Sequence, residues 1–333
     1  MKRAFWKTDW FLGSVLTLLF FAAYDSSIIK NLEFSVYDFA LETSAQPAND
    51  SVVIIDIDDA SIDLIGRWPW PRTEMADMIE TLTKAQVRMV GVDIFYSEEQ
   101  ADNGNNAALK LADLLQEQGD ALLAEADVLA AQGHEAEADA KFAKADAKLL
   151  QADKVIAEAM SKNGDARLVK AVQQAGNVFM PMFYEAGEAF GRPDSTLPPY
   201  ISRMAIENIG DIDTTAPPIS AVKLSYPFAE LSQVSAGIGY LNVLRSSDGV
   251  LRSEPLIVDY YGKFFPSMSL AMVAYDLNLT MNDVLVNIGH SVELGALVIP
   301  TDTAMQVSPK FYADLGDKEG QAFRHISFYD LKA

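Results

Sequence analysis

The chain has 333 residues, half of them hydrophobic, with 47 acidic against 26 basic side chains and a formal net charge of −21. That is length for one large domain or two ordinary ones and apolar content for a true core, while the charge would repel a phosphate backbone and so excludes nucleic acid as a partner. With no cysteine, disulfides, thiolate catalysis and cysteine-ligated zinc or iron–sulfur sites are excluded as well.

Met1-Lys2-Arg3 and Lys7 precede an apolar run from Trp10 to Tyr24, which Asp25 interrupts and Ile28-Ile29 extend. Basic residues before the run and aromatic residues at its ends predict a transmembrane helix over residues 10–30. Residues 1–9 would then be cytoplasmic and residues 31–333 would form a periplasmic domain anchored to the bacterial inner membrane. A cleaved signal peptide is the competing reading, but the positions around Ala22-Ala23 make a poor cleavage site. Residues 31–50 read as an amphipathic lead-in followed by a polar linker from Thr43 to Asp50.

Val52–Ile57 is a β-branched run suited to a strand buried on both faces, and Met89–Phe95 is a second. Between them, Thr73–Lys84 has helical spacing, with Met75, Met78, Ile79 and Leu82 on one side and Thr73 placed to cap it. Strand, helix, strand predicts a βαβ unit with parallel pairing. Residues 101–170 change in composition: Leu115, Leu122 and Leu129 repeat at seven, as do Phe142, Leu149 and Ile156 with alanines between, and Gly133 separates the two series. This predicts an inserted antiparallel helical hairpin. The α/β pattern resumes at Asn177–Tyr184. Gly237–Leu244 and Glu254–Tyr261 flank the turn Ser246-Ser247-Asp248-Gly249 and read as a β-hairpin. A helix is expected over Phe265–Leu277 with Pro266 in its first turn, then short strands near Val284–Ile288, Ala296–Ile299 and Met305–Val307. The expected fold is α/β: a mixed, partly parallel central sheet with flanking helices, an inserted antiparallel hairpin and one N-terminal transmembrane helix.

Ligands of open parallel sheets gather at the carboxyl ends of strands. There the chain places Asp56, Asp58 and Asp93, and just beyond the first strand Arg67, Trp68, Trp70 and Arg72 in the stretch Gly66-Arg67-Trp68-Pro69-Trp70-Pro71-Arg72. Guanidiniums beside indoles suit an anionic or aromatic ligand, and strand-end carboxylates suit a hard cation. The structural alternative has the arginines neutralising the aspartates. Asp56 and Asp58 also approach the D-x-D pattern of haloacid-dehalogenase phosphatases, with Asp56 as nucleophile and Asp58 as acid/base, but Ala60 stands where threonine or valine is expected. His290 and His325 are isolated, and no metal-ligand spacing or phosphate-cradling glycine loop is present. No cofactor is expected.

The succession Val52–Asp58, Gly66–Arg72, Val90–Phe95, Gly239-Tyr240-Leu241-Asn242-Val243 with Asp248-Gly249-Val250-Leu251-Arg252, Pro266–Leu270 and Ile299-Pro300-Thr301-Asp302 resembles the type-two CHASE (CHASE-2) sensory domain of bacterial membrane receptors. The resemblance covers roughly residues 35–333 apart from the hairpin. It implies an inner-membrane receptor whose extracytoplasmic sensor, non-enzymatic in itself, responds to a small-molecule or envelope signal and acts through the membrane on a cytoplasmic output, and the hairpin is the expected surface for a homodimer or partner. That output would be a nucleotide cyclase, histidine kinase, diguanylate cyclase or Ser/Thr kinase. The chain departs from the pattern in its long hairpin and in ending where membrane helices and an output would follow.

Overall fold

The computed structural model describes residues 9–23, 26–44, 46–100, 103–193, 196–212, 217–312 and 322–332. Its helices are α1 (Asp9–Ala23), α2 (Ser27–Ser44), α3 (Asp59–Ile65), α4 (Arg72–Lys84), α5 (Asn103–Ala131), α6 (Glu135–Lys162), α7 (Gly164–Ala175), α8 (Pro199–Ser202), α9 (Ala229–Val234), α10 (Met268–Asp276) and α11 (Phe328–Lys332). The strands are β1 (Val53–Asp56), β2 (Val90–Gly91), β3 (Val178–Ala186), β4 (Ile209–Ile212), β5 (Ile219–Ser225), β6 (Gly237–Tyr240) and β7 (Glu254–Pro255). They continue with β8 (Ile257–Tyr260), β9 (Lys263–Pro266), β10 (Val284–Ile288), β11 (Ser291–Leu294), β12 (Leu297–Pro300), β13 (Gln306–Val307) and β14 (Arg324–Ser327). Two compact units result, one of residues 1–56, 243–254 and 308–326, the other of residues 57–242, 255–307 and 327–333.

The larger unit is α/β. Its six-stranded sheet runs β2-β3-β5-β8-β9, with β6 also paired to β3. The first half of β3 is parallel to both β2 and β6, through Phe179↔Gly91 and Phe179↔Gly237. Its second half is antiparallel to β5, beginning at Phe183↔Ser225. A four-stranded sheet runs β12-β11-β10-β4. Helix α10, capped by the Ser267 hydroxyl accepting from Leu270 N, serves both sheets. Met268 and Ala271 pack with Phe179, and Leu270 and Ala274 pack with Val284, Val286 and Val292. Gly239 on β6 makes this approach possible, since a Cβ there would lie 2.4 Å from the Met268 Cα.

The hairpin is present as α5 and α6. Ala112, Leu115, Gly119, Leu122, Ala126 and Leu129 form one inward row, while Ala138, Phe142, Ala145, Leu149, Ala152, Ile156 and Ala159 form the other. Both rows step by threes and fours, the spacing of a coiled-coil seam. Alanines and Gly119, whose Cβ would meet Leu149 at 2.8 Å, let the helices close together. The later part of the expected 101–170 insertion starts a separate helix, α7, whose N-cap Asn163 accepts from Asp165 N and Ala166 N; residues 101 and 102 lie outside the described residues.

Other expectations need correction. The βαβ unit is not formed: β1 pairs with β14, and β2 pairs with β3 in a different sheet. Hydrophobic runs alone did not reveal that the strand starts only at Val53 and is not buried on both faces, Val53 and Ile54 being 41% and 37% exposed. The expected hairpin of Gly237–Leu244 with Glu254–Tyr261 reduces to the single bridge Leu244↔Ser253, because β6 is taken by β3. Helix α4 begins at Arg72, so Thr73 lies inside it and Pro71 stands at the cap. Pro266 closes β9 rather than opening α10.

The transmembrane helix expected over residues 10–30 is replaced by two helices, α1 and α2. No described helix is long and apolar enough to cross a membrane. Fifteen residues of α1 rise only about 22 Å, against roughly 30 Å of bilayer hydrocarbon. Lys30, Asn31 and Glu33 make α2 polar on one side. Residues 1–8 of the expected cytoplasmic segment, and Tyr24 and Asp25, lie outside the described residues.

Candidate functional site

Arg72 opens α4 with its side chain turned inward. It ion-pairs with Asp165 in the first turn of α7 and donates to the Glu98 carbonyl. Its guanidinium stands 5.1 Å from the Tyr96 ring and 5.0 Å from the Phe228 ring. Asp165, only 8% exposed, also accepts from Gln100 N at 2.7 Å, and Gln100 Oε1 accepts from Arg72 N. Glu98 and Gln100 precede the hairpin and Asp165 follows it, so one guanidinium fastens both feet of the insertion. The preceding loop supports this arrangement. Trp70 is buried, donates Nε1–H to the Gly66 carbonyl at 2.6 Å and meets Trp68 edge-on and Phe328 at a tilt, with ring centroids 5.4 and 5.0 Å away.

Beyond Arg72 lie the carboxyl ends of the parallel strands, and here the sheet changes from parallel to antiparallel pairing. Phe95 meets Phe183 edge-on with ring centroids 5.0 Å apart, which carries the β2–β3 register past the last ladder pair. Tyr184 stacks edge-on to Tyr240 at 5.2 Å, and Tyr240 donates to the Pro255 carbonyl at 2.6 Å. Asn242 continues the ladder with its side chain: Oδ1 accepts from Tyr184 N and Nδ2 donates to Tyr184 O, both at 2.9 Å. Tyr96 and Tyr184 are buried with hydroxyls that find no partner among the described residues. Burial raises both phenol pKa values above their ordinary level, with the Arg72 charge opposing the rise at Tyr96. Both therefore stay neutral donors at physiological pH. An unbonded buried hydroxyl costs about 1–3 kcal/mol, so this aromatic, neutral strand end holds two of the three buried side-chain polar atoms without a partner among the described residues, the third being Asn177 Oδ1.

The smaller unit has its own polar contacts. His325 Nδ1 lies 2.6 Å from Asp56 Oδ2, joining β14 to β1. Arg252 grips Asp38 and Asp248 and lies 4.3 Å over the Phe34 ring. Among the described residues, no group of three or more His, Cys, Asp and Glu is arranged to hold a metal ion.

A family model for the CHASE2 domain matches residues 14–333. The chain belongs to that family. No curated protein and no solved structure matches the chain. CHASE2 domains are extracytoplasmic sensory modules, and the sensing role and extracytoplasmic placement follow from the membership.

The candidates of this CHASE2 domain are dispersed. Asp58 is the N-cap of α3, accepting from Ser61 N at 2.9 Å and from the Ser61 and Ser327 hydroxyls. The Ser61 hydroxyl first, then its backbone N–H, lowers the Asp58 pKa. Asp56 pairs with His325. Arg67 and Asp93 are exposed and take part in no ion pair with a described residue. Arg72 does neutralise a carboxylate, but that carboxylate is Asp165 rather than Asp56 or Asp58. Trp68 and Trp70 stay beside Arg72 as framing, and the Trp68–Pro69 bond is cis. Sequence reading passed over Asp165, His325, Asn242 as a ladder residue and Arg252 as a clamp. Asn163 followed by Gly164-Asp165 was a visible helix-start signal. The Asn242 and His325 partnerships had no local signal.

Proposed function

We propose that this CHASE2 domain detects a small-molecule or envelope signal in the periplasm and passes it through the membrane to a cytoplasmic nucleotide cyclase, histidine kinase, diguanylate cyclase or Ser/Thr kinase. The family match across residues 14–333 carries the reading. The neutral aromatic strand end with the Tyr96 and Tyr184 hydroxyls supports a small, hydrogen-bonding ligand over a metal or a phosphate. Helix α1 supports attachment to the inner membrane: Trp10 and Phe21 are 71% and 72% exposed, and Leu12, Leu16 and Leu18 are exposed with them. A homodimer would use the hairpin, whose outer side shows Leu111, Leu114 and Val128.

A phosphoester hydrolase built on Asp56 and Asp58 draws no support. A general acid wants its pKa raised toward neutrality, whereas Asp58 is lowered and occupied by a helix cap. The deciding experiment screens the purified chain for ligand-induced thermal stabilisation and, in parallel, for magnesium-dependent cleavage of p-nitrophenyl phosphate. A small molecule that raises Tm without turnover is expected. Turnover abolished by Asp56→Asn would reverse the conclusion.

A further inference from the structure

Within the smaller unit, the loop leading from β6 to β7 is exposed from Ser247 to Val250, yet Arg252 near its end is only 8% exposed. Its Nε and Nη2 donate to Asp38 Oδ1 and Oδ2 at 2.9 and 2.7 Å. Nη1 donates to Asp248 Oδ1 at 2.8 Å, and Nη2 lies 2.8 Å from Asp248 Oδ2. Bidentate geometry toward two carboxylates is something a guanidinium provides and an ammonium does not. Asp38 lies one helical turn beyond Phe34 on α2, so the carboxylate and the ring under the guanidinium share one helix face. The loop side is built in advance: Gly249 N donates to Ser246 O, Ser246 N donates to Val250 O, and Val250 N donates to Asp248 Oδ1. Arg252 thus reaches from a preformed turn to a helix.

The charge count makes this contact more than packing. One cation holds two anions, so without it Asp38 and Asp248 would face each other and repel. The joint has a held state and an opened state, with little reason to linger between them. We propose that Arg252 is a clamp by which the 243–254 loop holds helix α2, making the position of α2 conditional on the state of that loop. The loop follows directly on Asn242, the residue that completes the β3–β6 ladder at Tyr184. Helix α2 follows directly on α1, the helix proposed to meet the membrane. On the sensing reading, from which the clamp takes its purpose, the clamp is the positioning element for the helix that leads to the membrane.

The test uses the full chain. Because it has no cysteine, Ser35→Cys and Ser247→Cys, both at exposed positions, place spin labels on α2 and on the turn for a pulsed electron–electron distance measurement. The clamped protein should give one narrow distance distribution. Arg252→Ala should shift it to longer, broader distances, Arg252→Lys should broaden it less, and Asp38→Asn should loosen it from the helix side. Should Arg252→Ala fail to fold, Asp38→Asn, altered on a partly exposed helix surface, decides. An unchanged narrow distribution in Asp38→Asn overturns the clamp. No ligand is needed, so failure here is separate from failure to find a signal, which would count against the sensing reading alone.

Discussion

Arg72 shows how a residue in a ligand-like setting can be consumed by structure. Guanidinium, indoles and prolines together looked like a frame for a bound molecule, and the frame exists, but Asp165 and the Glu98 carbonyl fill it. The sequence revealed the type of partner, a carboxylate, and not its address, because Asp165 lies 93 positions away on the far side of an insertion. Arg72→Ala would strand a nearly buried carboxylate, and a loss of roughly 1–3 kcal/mol in urea unfolding is expected. Asp58 makes a prediction of a different kind. Its folded pKa lies below the ordinary carboxylate value, so its cap stabilises above the unfolded pKa of about 4 and is lost as pH falls through the folded value. Asp58→Asn, still able to cap but without the charge, should therefore melt below the parent at neutral pH. The gap should close once the pH has fallen through the lowered folded value; a gap that persists there would mean the carboxylate contributes something other than its charge.

Among the elements, the hairpin was the most legible, since a seven-residue repeat of leucine and alanine is a property of a helix and its nearest neighbour in sequence. Strand pairing was the least. Nothing in Val53–Asp56 says that its partner is Arg324–Ser327, because main-chain bonds carry the pairing and the partner comes from the far end of the chain. The same holds for β6, whose apparent hairpin mate follows closely in sequence while its true partner β3 precedes it by some fifty residues. Local turn chemistry at Ser246–Gly249 was read correctly and still did not define the sheet. The hairpin also gives the element-scale prediction. Replacing residues 103–162 by a short Gly-Ser link should leave the remaining fold intact, with unchanged near-UV circular dichroism, because Gln100 N already bonds to Asp165 at 2.7 Å. Loss of cooperative melting in that shortened chain would show that α5 and α6 support the sheet.

For the molecule as a whole, the alternation of strand and helix gave the α/β class and the ordered motifs gave the family, while the N-terminal arrangement was misjudged. Hydropathy counted apolar residues across a polar interruption and so saw one span where two helices stand. If the hairpin is the dimer surface, sedimentation at increasing concentration should show the full chain self-associating and the chain shortened at residues 103–162 remaining monomeric. Equal behaviour of the two would move the search for a partner surface elsewhere, with the exposed apolar residues of α1 first in order.

The fastening at the hairpin's feet has a consequence for how such a protein changes over generations. Both helices of the insertion meet the body at one place, where Arg72 holds Asp165 and the Glu98 carbonyl, so if the shortened chain melts as predicted, changes beyond that place are not felt below it. Heptads can be added or removed in matched pairs, one from each helix, and each pair alters the hairpin's reach by about 10 Å without disturbing the register of the sheet. On that outcome the hairpin is an adjustable arm on a fixed body, and its length is free to follow the distance to whatever it must touch.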